Sequence, residues 1–470
     1  MYTQDTIAAI ATPPGSGGGG GVAIIRISGP GALETAGRLF KANNPGGIAV
    51  VKERFLHAGL FVDPSTGAIL DSGFLVYMKS PRTYTGEDVV ELHCHGGFLI
   101  SHNLLGAVLR AGARAAEPGE FTRRAFLNGK LDLAQAEAVA DVIGARTGAA
   151  LASARGRLKG VFSRKVAGIK DVLVGLLVRV EAGLDFPEEE TSGLPKGEMI
   201  EGLGRAEGAL KKLLSTYEEG LALREGFRVL ILGRPNAGKS SLLNVLLKEE
   251  RAIVTEVPGT TRDIIEEAVI IKGLPVKLMD TAGLREGGGG AGRVETIGVE
   301  RAREKIRDAG LVLYVVDVSS GELKADIGEI KAIGDKKVIV VGNKTDLTGE
   351  KALKRAGEAF KGYKTVFISA LKEEGIEGLE EGVFEAATGH GLNTGEAEPG
   401  ELVASARHKE ALSSALDGIG RVKVLVDGEK PMELVADDLR WSVDRLGEIT
   451  GETTTDDILD RIFSEFCIGK

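Results

Sequence analysis

Two glycines five positions apart, followed by lysine and serine, make up the run Gly233-Arg234-Pro235-Asn236-Ala237-Gly238-Lys239-Ser240. Glycines let a turn fold so that successive backbone N–H groups point inward, and a helix start adds its own orphan donors. Such a nest takes phosphate groups. Asn236, Ala237, Gly238, Lys239, Ser240 and Ser241 would line it. Lys239 would reach the β- and γ-phosphates, and the Ser240 hydroxyl would ligate Mg²⁺. The surroundings match this chemistry, because an apolar strand-like run at 227–232 precedes the turn and a helical run at 240–248 follows it.

Three further segments extend the pattern. Asp280-Thr281-Ala282-Gly283 follows a strand-like run. The Asp280 carboxylate suits the Mg²⁺ shell, directly or through water, and Gly283 can turn its N–H toward a γ-phosphate. Asn343-Lys344-Thr345-Asp346 follows another such run. There Asp346 can accept from N1–H and the exocyclic amine of guanine, a donor pair adenine lacks. Ser369-Ala370-Leu371 fits a backbone loop that touches the guanine oxygen. Order, spacing and strand context therefore imply a guanine-nucleotide site with GTP and Mg²⁺. Between the first two segments lies 257–263, where a first switch loop sits. Thr261, or Thr260 beside it, would close over Mg²⁺ when the γ-phosphate is present.

Hydrolysis needs a group to orient water, and Leu284 after Gly283 cannot do so. Glu295 is the acidic candidate downstream, although a surface glutamate is the plain alternative. The Asn236 amide oxygen could help hold a monovalent cation near the β- and γ-phosphates and offset transition-state charge. A loop-capping asparagine is the plain alternative there.

These groups need elements to hold them. Runs near 227–233, 276–283, 311–319, 336–344 and 365–371 read as strands that each lead into a loop and a helix, which is the pattern of a doubly wound sheet. Residues 1–120 show short apolar runs broken by glycine and proline, a β-rich domain with a helix near 100–111. Residues 121–222 and 393–470 carry apolar residues at helical spacing. The fold class is therefore multidomain α/β and α+β. The expected domains are an N-terminal β-rich domain (1–120), a long-helix domain in two parts (121–222 and 393–470), and an inserted P-loop, Ras-like domain (223–392).

A chain of 470 residues with a net charge of −9 argues against a broad nucleic-acid sheath, although 146–170 is locally basic. On charge alone a solvated helix face explains that stretch. Two cysteines, Cys94 and Cys467, suggest thiols in a reducing compartment. With no secretory pattern at Met1–Ile10 and no apolar run of membrane-spanning length, the expectation is a cytoplasmic protein with no membrane association. His93 and His95 share one strand face, but no third metal ligand is evident, so hydrogen-bonded structural histidines are expected.

Taken together, 233–244, 257–263, 280–286, 343–346 and the C-terminal Phe466-Cys467-Ile468-Gly469-Lys470 resemble the tRNA-modification GTPase family MnmE, also called TrmE. The segments 5–15, 80–97, 118–143 and 184–190 are similar to it as well, so the resemblance covers nearly the whole chain. It implies a GTP hydrolase whose G domains meet across a homodimer in a K⁺-dependent manner. Asn236 matches the family's potassium-ligating asparagine. Residues 254–261, which include Thr255, Val257 and Thr260, match its potassium loop and switch I, and Glu295 matches its water-positioning glutamate. The resemblance also implies an N-terminal domain that binds a tetrahydrofolate one-carbon derivative. It further implies a flavoprotein partner, MnmG (GidA), and a role in adding an aminomethyl or carboxymethylaminomethyl group to C5 of the wobble uridine of certain tRNAs.

Cys467 is the family's C-terminal cysteine, a reactive thiol beside Lys470 or a small packed side chain. Two departures stand out. Ser16 and five glycines, Gly17–Gly21, replace an arginine-containing loop, and Gly287–Gly290 lengthens the path to Glu295. A ribosome-assembly switch of the Era kind is the competing class. It would carry an RNA-clamping GXXG loop, and none is apparent after residue 390.

Overall fold

The computed structural model describes residues 5–12, 20–43, 51–186, 194–249, 266–280, 304–389, 400–464 and 466–469. Two compact units emerge, 1–140 with 447–470, and 141–446.

The first unit is built on seven strands: β1 Ile7–Ile10, β2 Val22–Ser28, β3 Phe40–Ala42, β4 His57–Val62, β5 Ile69–Met78, β6 Val89–His95 and β7 Arg114–Ala115. They lie in the order β3-β4-β5-β6-β2-β1-β7, antiparallel except for β1 with β7. The register sets Ala23 beside Cys94, Ile25 beside Leu92 and Ile27 beside Val90, and all six are buried. Alternation along each strand thus gives the sheet one apolar face. Helices α1 Ala32–Gly37 and α2 Phe98–Arg110 cover it, with Ala32, Ala36, Leu104 and Val108 in the same core. The helix expected near 100–111 is α2.

The next helix, α3 Glu120–Leu127, carries the buried guanidinium of Arg124, 2% exposed. Arg124 donates to Asp5 Oδ1 (2.6 Å), Glu120 Oε1 (2.8 Å), Glu87 (3.2 Å) and the Asp5 carbonyl (2.8 Å). Burial works against its charge, but the three carboxylates outweigh that and raise its pKa. One cation therefore ties the N-terminal segment, the 80–88 loop and α3 together. The C-terminal helix Asp456–Ser464 joins the same unit. Leu459, Phe463 and Phe466 pack with Leu133 and Ala136 of α4 Leu133–Gly144. Ile468 bridges Pro118, and Gly469 sits at φ +95°, where a Cβ would lie 2.4 Å from the Ile10 carbonyl oxygen.

This grouping differs from the expected partition. The boundary at 120/121 falls inside α3, and the segments 121–140 and 447–470 group with the N-terminal sheet in one compact unit. Apolar spacing identifies a helix and its buried stripe, but it does not say which neighbour covers the stripe.

The second unit opens with α5 Gly148–Leu158, α6 Val161–Asp185, α7 Lys196–Ser215 and α8 Tyr217–Glu225. The α/β region follows as β8 Phe227–Gly233, α9 Lys239–Glu249, β9 Glu266–Ile271, β10 Leu274–Asp280, β11 Leu311–Asp317, α10 Lys324–Ala332, β12 Val338–Asn343, α11 Glu350–Ala359, β13 Lys364–Phe367 and α12 Ile376–Thr388. Then come α13 Ala406–Asp427 and α14 Met432–Thr450. Helix α7 packs on α6 and α13, so sequence before and after the α/β region meets in one helical layer.

The six-stranded sheet has the order β13-β12-β11-β8-β10-β9. All pairings are parallel except β9 with β10, an edge hairpin whose outer strand β9 is not among the strand-like runs expected from the sequence. In β11, Leu313 and Val315 face one core, with α9 and α12, while Tyr314 and Val316 face another, with α10 and α11. A strand buried on both faces reads as a continuous apolar run, as 311–316 does. Helix α8 spans the expected boundary at 222/223, and its Ala222 belongs to the first of these cores. Gly226, at φ +86°, ends that helix. Among the described residues, no helix is long and apolar enough to cross a membrane.

Arg124→Ala should destabilise the first unit by about 3–5 kcal/mol, because it strands three buried or half-buried carboxylates. Hydrogen exchange on the full chain would report it as lost protection in β1 and α3. Unchanged protection there would show that the cluster is not a structural clamp.

Candidate guanine-nucleotide site

Parallel pairing aligns the carboxyl ends of five neighbouring strands. Val315 lies beside Gly233, Asp280 beside Ile231, Asp317 beside Asn343, and Gly342 beside Phe367. Every loop singled out from the sequence and described here leaves from this one edge, where open α/β sheets bind ligands.

The first loop is shaped by three left-handed or extended-positive residues. Gly233 (φ +141°) passes so close to β11 that a Cβ would lie 2.3 Å from the Val315 carbonyl oxygen. Asn236 adopts φ +63°, a conformation asparagine accepts more readily than most residues. At Gly238 (φ +98°) a Cβ would lie 2.1 Å from Asn343 Nδ2. Helix α9 then begins at Lys239. The Lys239 ammonium folds back and donates to the carbonyls of Gly233 (2.9 Å) and Arg234 (3.0 Å). Ala237 is buried, whereas Asn236, Ser240 and Ser241 are exposed.

Asn343, 2% exposed, joins this loop to the others. Its Nδ2 donates to the Ala237 carbonyl (2.9 Å), and its Oδ1 accepts from the Ala370 amide (3.0 Å). Lys344 is left-handed (φ +68°) and donates to Asp317 Oδ2 at 2.6 Å. Burial pushes the Asp317 carboxyl up, but hydrogen bonds from Lys344 and Ser319 outweigh it and hold it below the usual range. Asp346 Oδ1 accepts from the Ser369 hydroxyl at 2.7 Å, and that oxygen accepts from the Lys372 amide at 3.2 Å. Ser369 and Glu374 exchange backbone hydrogen bonds that close the loop (3.0 and 3.1 Å). Leu371, beside Ala370, is 83% exposed.

Asn236, Ala237, Gly238, Lys239, Ser240, Ser241, Asn343, Lys344, Asp346, Ser369 and Ala370 are thus brought to one edge. For Asp280 the backbone reaches the same edge, and its side chain lies outside the described set. Thr255, Val257, Thr260, Thr261, Gly283 and Glu295 also lie outside the described residues. The sequence reading missed Asp317, the anchor of Lys344; an acidic residue closing the apolar run 311–316 at the same edge was its one signal. Within the 369–371 loop, the Ala370 amide is taken by Asn343 Oδ1.

Cys467 is exposed, which overturns the packed alternative, and its carbonyl accepts from the Gly119 amide at 3.4 Å. Cys94 is buried, and burial together with the Asp71 carboxylate pushes its thiol up to about 11. His95 Nδ1 lies 2.8 Å from Asp71 and His93 Nε2 lies 3.5 Å from Glu91. No group of three metal-ligating side chains occurs among the described residues.

Family models fit both parts of the sequence. The model described as "GTP-binding protein TrmE N-terminus" matches residues 6–130, and "MnmE helical domain" matches 133–467. Among curated relatives, the tRNA modification GTPase MnmE of Moorella thermoacetica is 46% identical, covering 99% of this chain and 100% of its own. That of Geobacter metallireducens is 46% identical and that of Alkaliphilus oremlandii 43%, each covering 100% of both chains. With two family models spanning nearly all of its length and relatives aligned end to end, the chain belongs to the MnmE family of tRNA modification GTPases.

Proposed function

We propose that the chain hydrolyses GTP and couples that reaction to modification of the wobble uridine of certain tRNAs. The observation that carries the reading is the Asn343 brace. One buried amide holds the phosphate-loop backbone and the base-side loop at fixed separation, 2.9 and 3.0 Å away. A glycine-bearing loop running into a helix start on one side and an anchored carboxylate, Asp346, on the other suit the two ends of a guanine nucleotide.

In this reading the amides of Asn236–Ser241 hold the phosphates, and Lys239 exchanges the carbonyls of Gly233 and Arg234 for β- and γ-phosphate oxygens. Asp346 accepts from the two guanine donors while Ser369 and Lys344 fix the loop around it. The Ser369 and Ala370 amides are already engaged, so the 369–371 segment would meet the guanine oxygen through the Leu371 amide. Ser240, Thr261 and Asp280 would hold Mg²⁺, and Asn236, with Thr255, Val257 and Thr260, would hold K⁺. When bound, these ions would supply positive charge beside the bond that breaks between the γ-phosphorus and its bridging oxygen. Glu295 would position the attacking water, and the Gly283 N–H would meet the γ-phosphate.

Hydrolysis is coupled to meeting of the G domains (223–392) in a homodimer. The N-terminal domain holds a tetrahydrofolate one-carbon derivative, the flavoprotein MnmG is the partner, and Cys467 is a thiol available to the modification reaction. The support is the family and, for Cys467, its exposure.

Asp346→Asn should weaken GTP binding at least about 100-fold, through two lost charge-assisted hydrogen bonds, and should improve xanthosine triphosphate binding. Titration with both nucleotides checks this, and an unchanged preference rules out base reading by Asp346. Hydrolysis by the wild-type chain should run at least about 10-fold faster in K⁺ than in Na⁺ at equal ionic strength. Equal rates would remove the cation role.

A further inference from the structure

The longest carboxylate-free stretch in this acidic chain precedes the nucleotide loops in sequence. Residues 142–170 contain seven cations, Arg146, Arg155, Arg157, Lys159, Arg164, Lys165 and Lys170, and no carboxylate, although the whole chain carries −9. The structure sorts them. Arg157 turns inward, 4% exposed, and pairs with Asp141 at 2.9 Å. Lys165 pairs with Glu401 at 3.0 Å. Arg146, Arg155, Lys159 and Arg164 are exposed, and none has a carboxylate partner among the described residues.

Three of these four are adjacent. Arg155 and Lys159 stand one turn apart at the end of α5, and Arg164 crosses the α5–α6 turn to donate to the Lys159 carbonyl at 2.9 Å. Helix stability accounts for only part of this. Cations at the end of α5 favour its dipole, but Arg164, near the start of α6, has the wrong sign for its helix. The stripe leading to the cations is low. Gly148, Ala152, Arg155 and Lys159 recur at i, i+4, i+7 and i+11, all exposed, with Ala149 beside them. Leu151, 37% exposed, is the one large apolar side chain exposed on α5.

We infer that this face of α5 and the α5–α6 turn binds the phosphodiester backbone of tRNA. A protein partner would be met by an apolar or aromatic patch, with charge at the rim. Here guanidinium and ammonium groups with no carboxylate partner among the described residues follow short side chains that let a backbone come close, which is the polar, cationic character of a nucleic-acid interface. The contact is sequence-independent and salt-sensitive, positioning the tRNA and leaving base choice to other groups. It rests on the tRNA reading above and extends it by assigning a surface.

The test is tRNA binding by the full-length protein, followed by anisotropy of a labelled tRNA transcript with uridine at the wobble position, from low to high KCl. The triple variant Arg155→Gln, Lys159→Gln, Arg164→Gln should bind at least about 10-fold more weakly at low salt. Its log K against log[salt] slope should be shallower by about 2–3. Arg155→Lys with Arg164→Lys should restore the slope, and basal GTP hydrolysis should be unchanged in both variants. Wild-type affinity and slope in the triple variant would overturn the surface while leaving the tRNA reading intact, and would leave an acidic protein as the occupant to seek. A wild-type protein that binds no tRNA at any salt would overturn both.

Discussion

The buried amide of Asn343 is the contact on which the nucleotide edge depends. Its two hydrogen bonds, to the Ala237 carbonyl and from the Ala370 amide, cross between loops that come from three different strands. A carboxylate there could not donate to Ala237, and an ammonium could not accept from Ala370. An amide does both. Because the group is 2% exposed, water cannot substitute for a lost partner. The spacing of phosphate loop and base loop is therefore set by one side chain, and the close approach at Gly238 follows from it. That approach leaves no room for a Cβ, so the glycine is fixed by the asparagine as much as by its own φ.

Around this brace the charges are arranged so that each holds another in place. Asp317 holds the Lys344 ammonium, and Ser369 holds Asp346 while itself accepting from the Lys372 amide. The Lys239 ammonium rests on two carbonyls of its own loop. Neutral carbonyl oxygens hold an ammonium less tightly than the carboxylate that holds Lys344, so those two contacts can give way to phosphate oxygens. The same edge therefore combines a rigid base side with a phosphate side able to respond to its ligand. The first unit follows a similar plan at Arg124, where one buried cation gathers three carboxylates from separate segments.

Much of the site was readable in the chain. Glycine, lysine and serine at the spacing of 233–240 can mean little else when a strand precedes them and a helix follows. Asp346 two residues after Lys344 carries its own chemistry. The doubly wound sheet was legible because strands buried on both faces are unbroken apolar runs. The edge strand β9 was harder, since 266–271 begins with two glutamates. Asp317 escaped notice because an aspartate ending a strand has no signature until its neighbour is known.

The sequence by itself determined the elements, the loop chemistry and the kind of ligand, because these depend on residues close together along the chain. Tertiary structure alone decided which elements share a core. It placed α3 and the C-terminal helix with the N-terminal sheet and put Ala222 in the core of the nucleotide sheet. It also left Cys467 exposed while burying Cys94, and it separated Arg157 from its exposed neighbours in the basic stretch. Periodicity records that a face is buried, but the identity of the covering surface is a contact between distant residues, and nothing local encodes it.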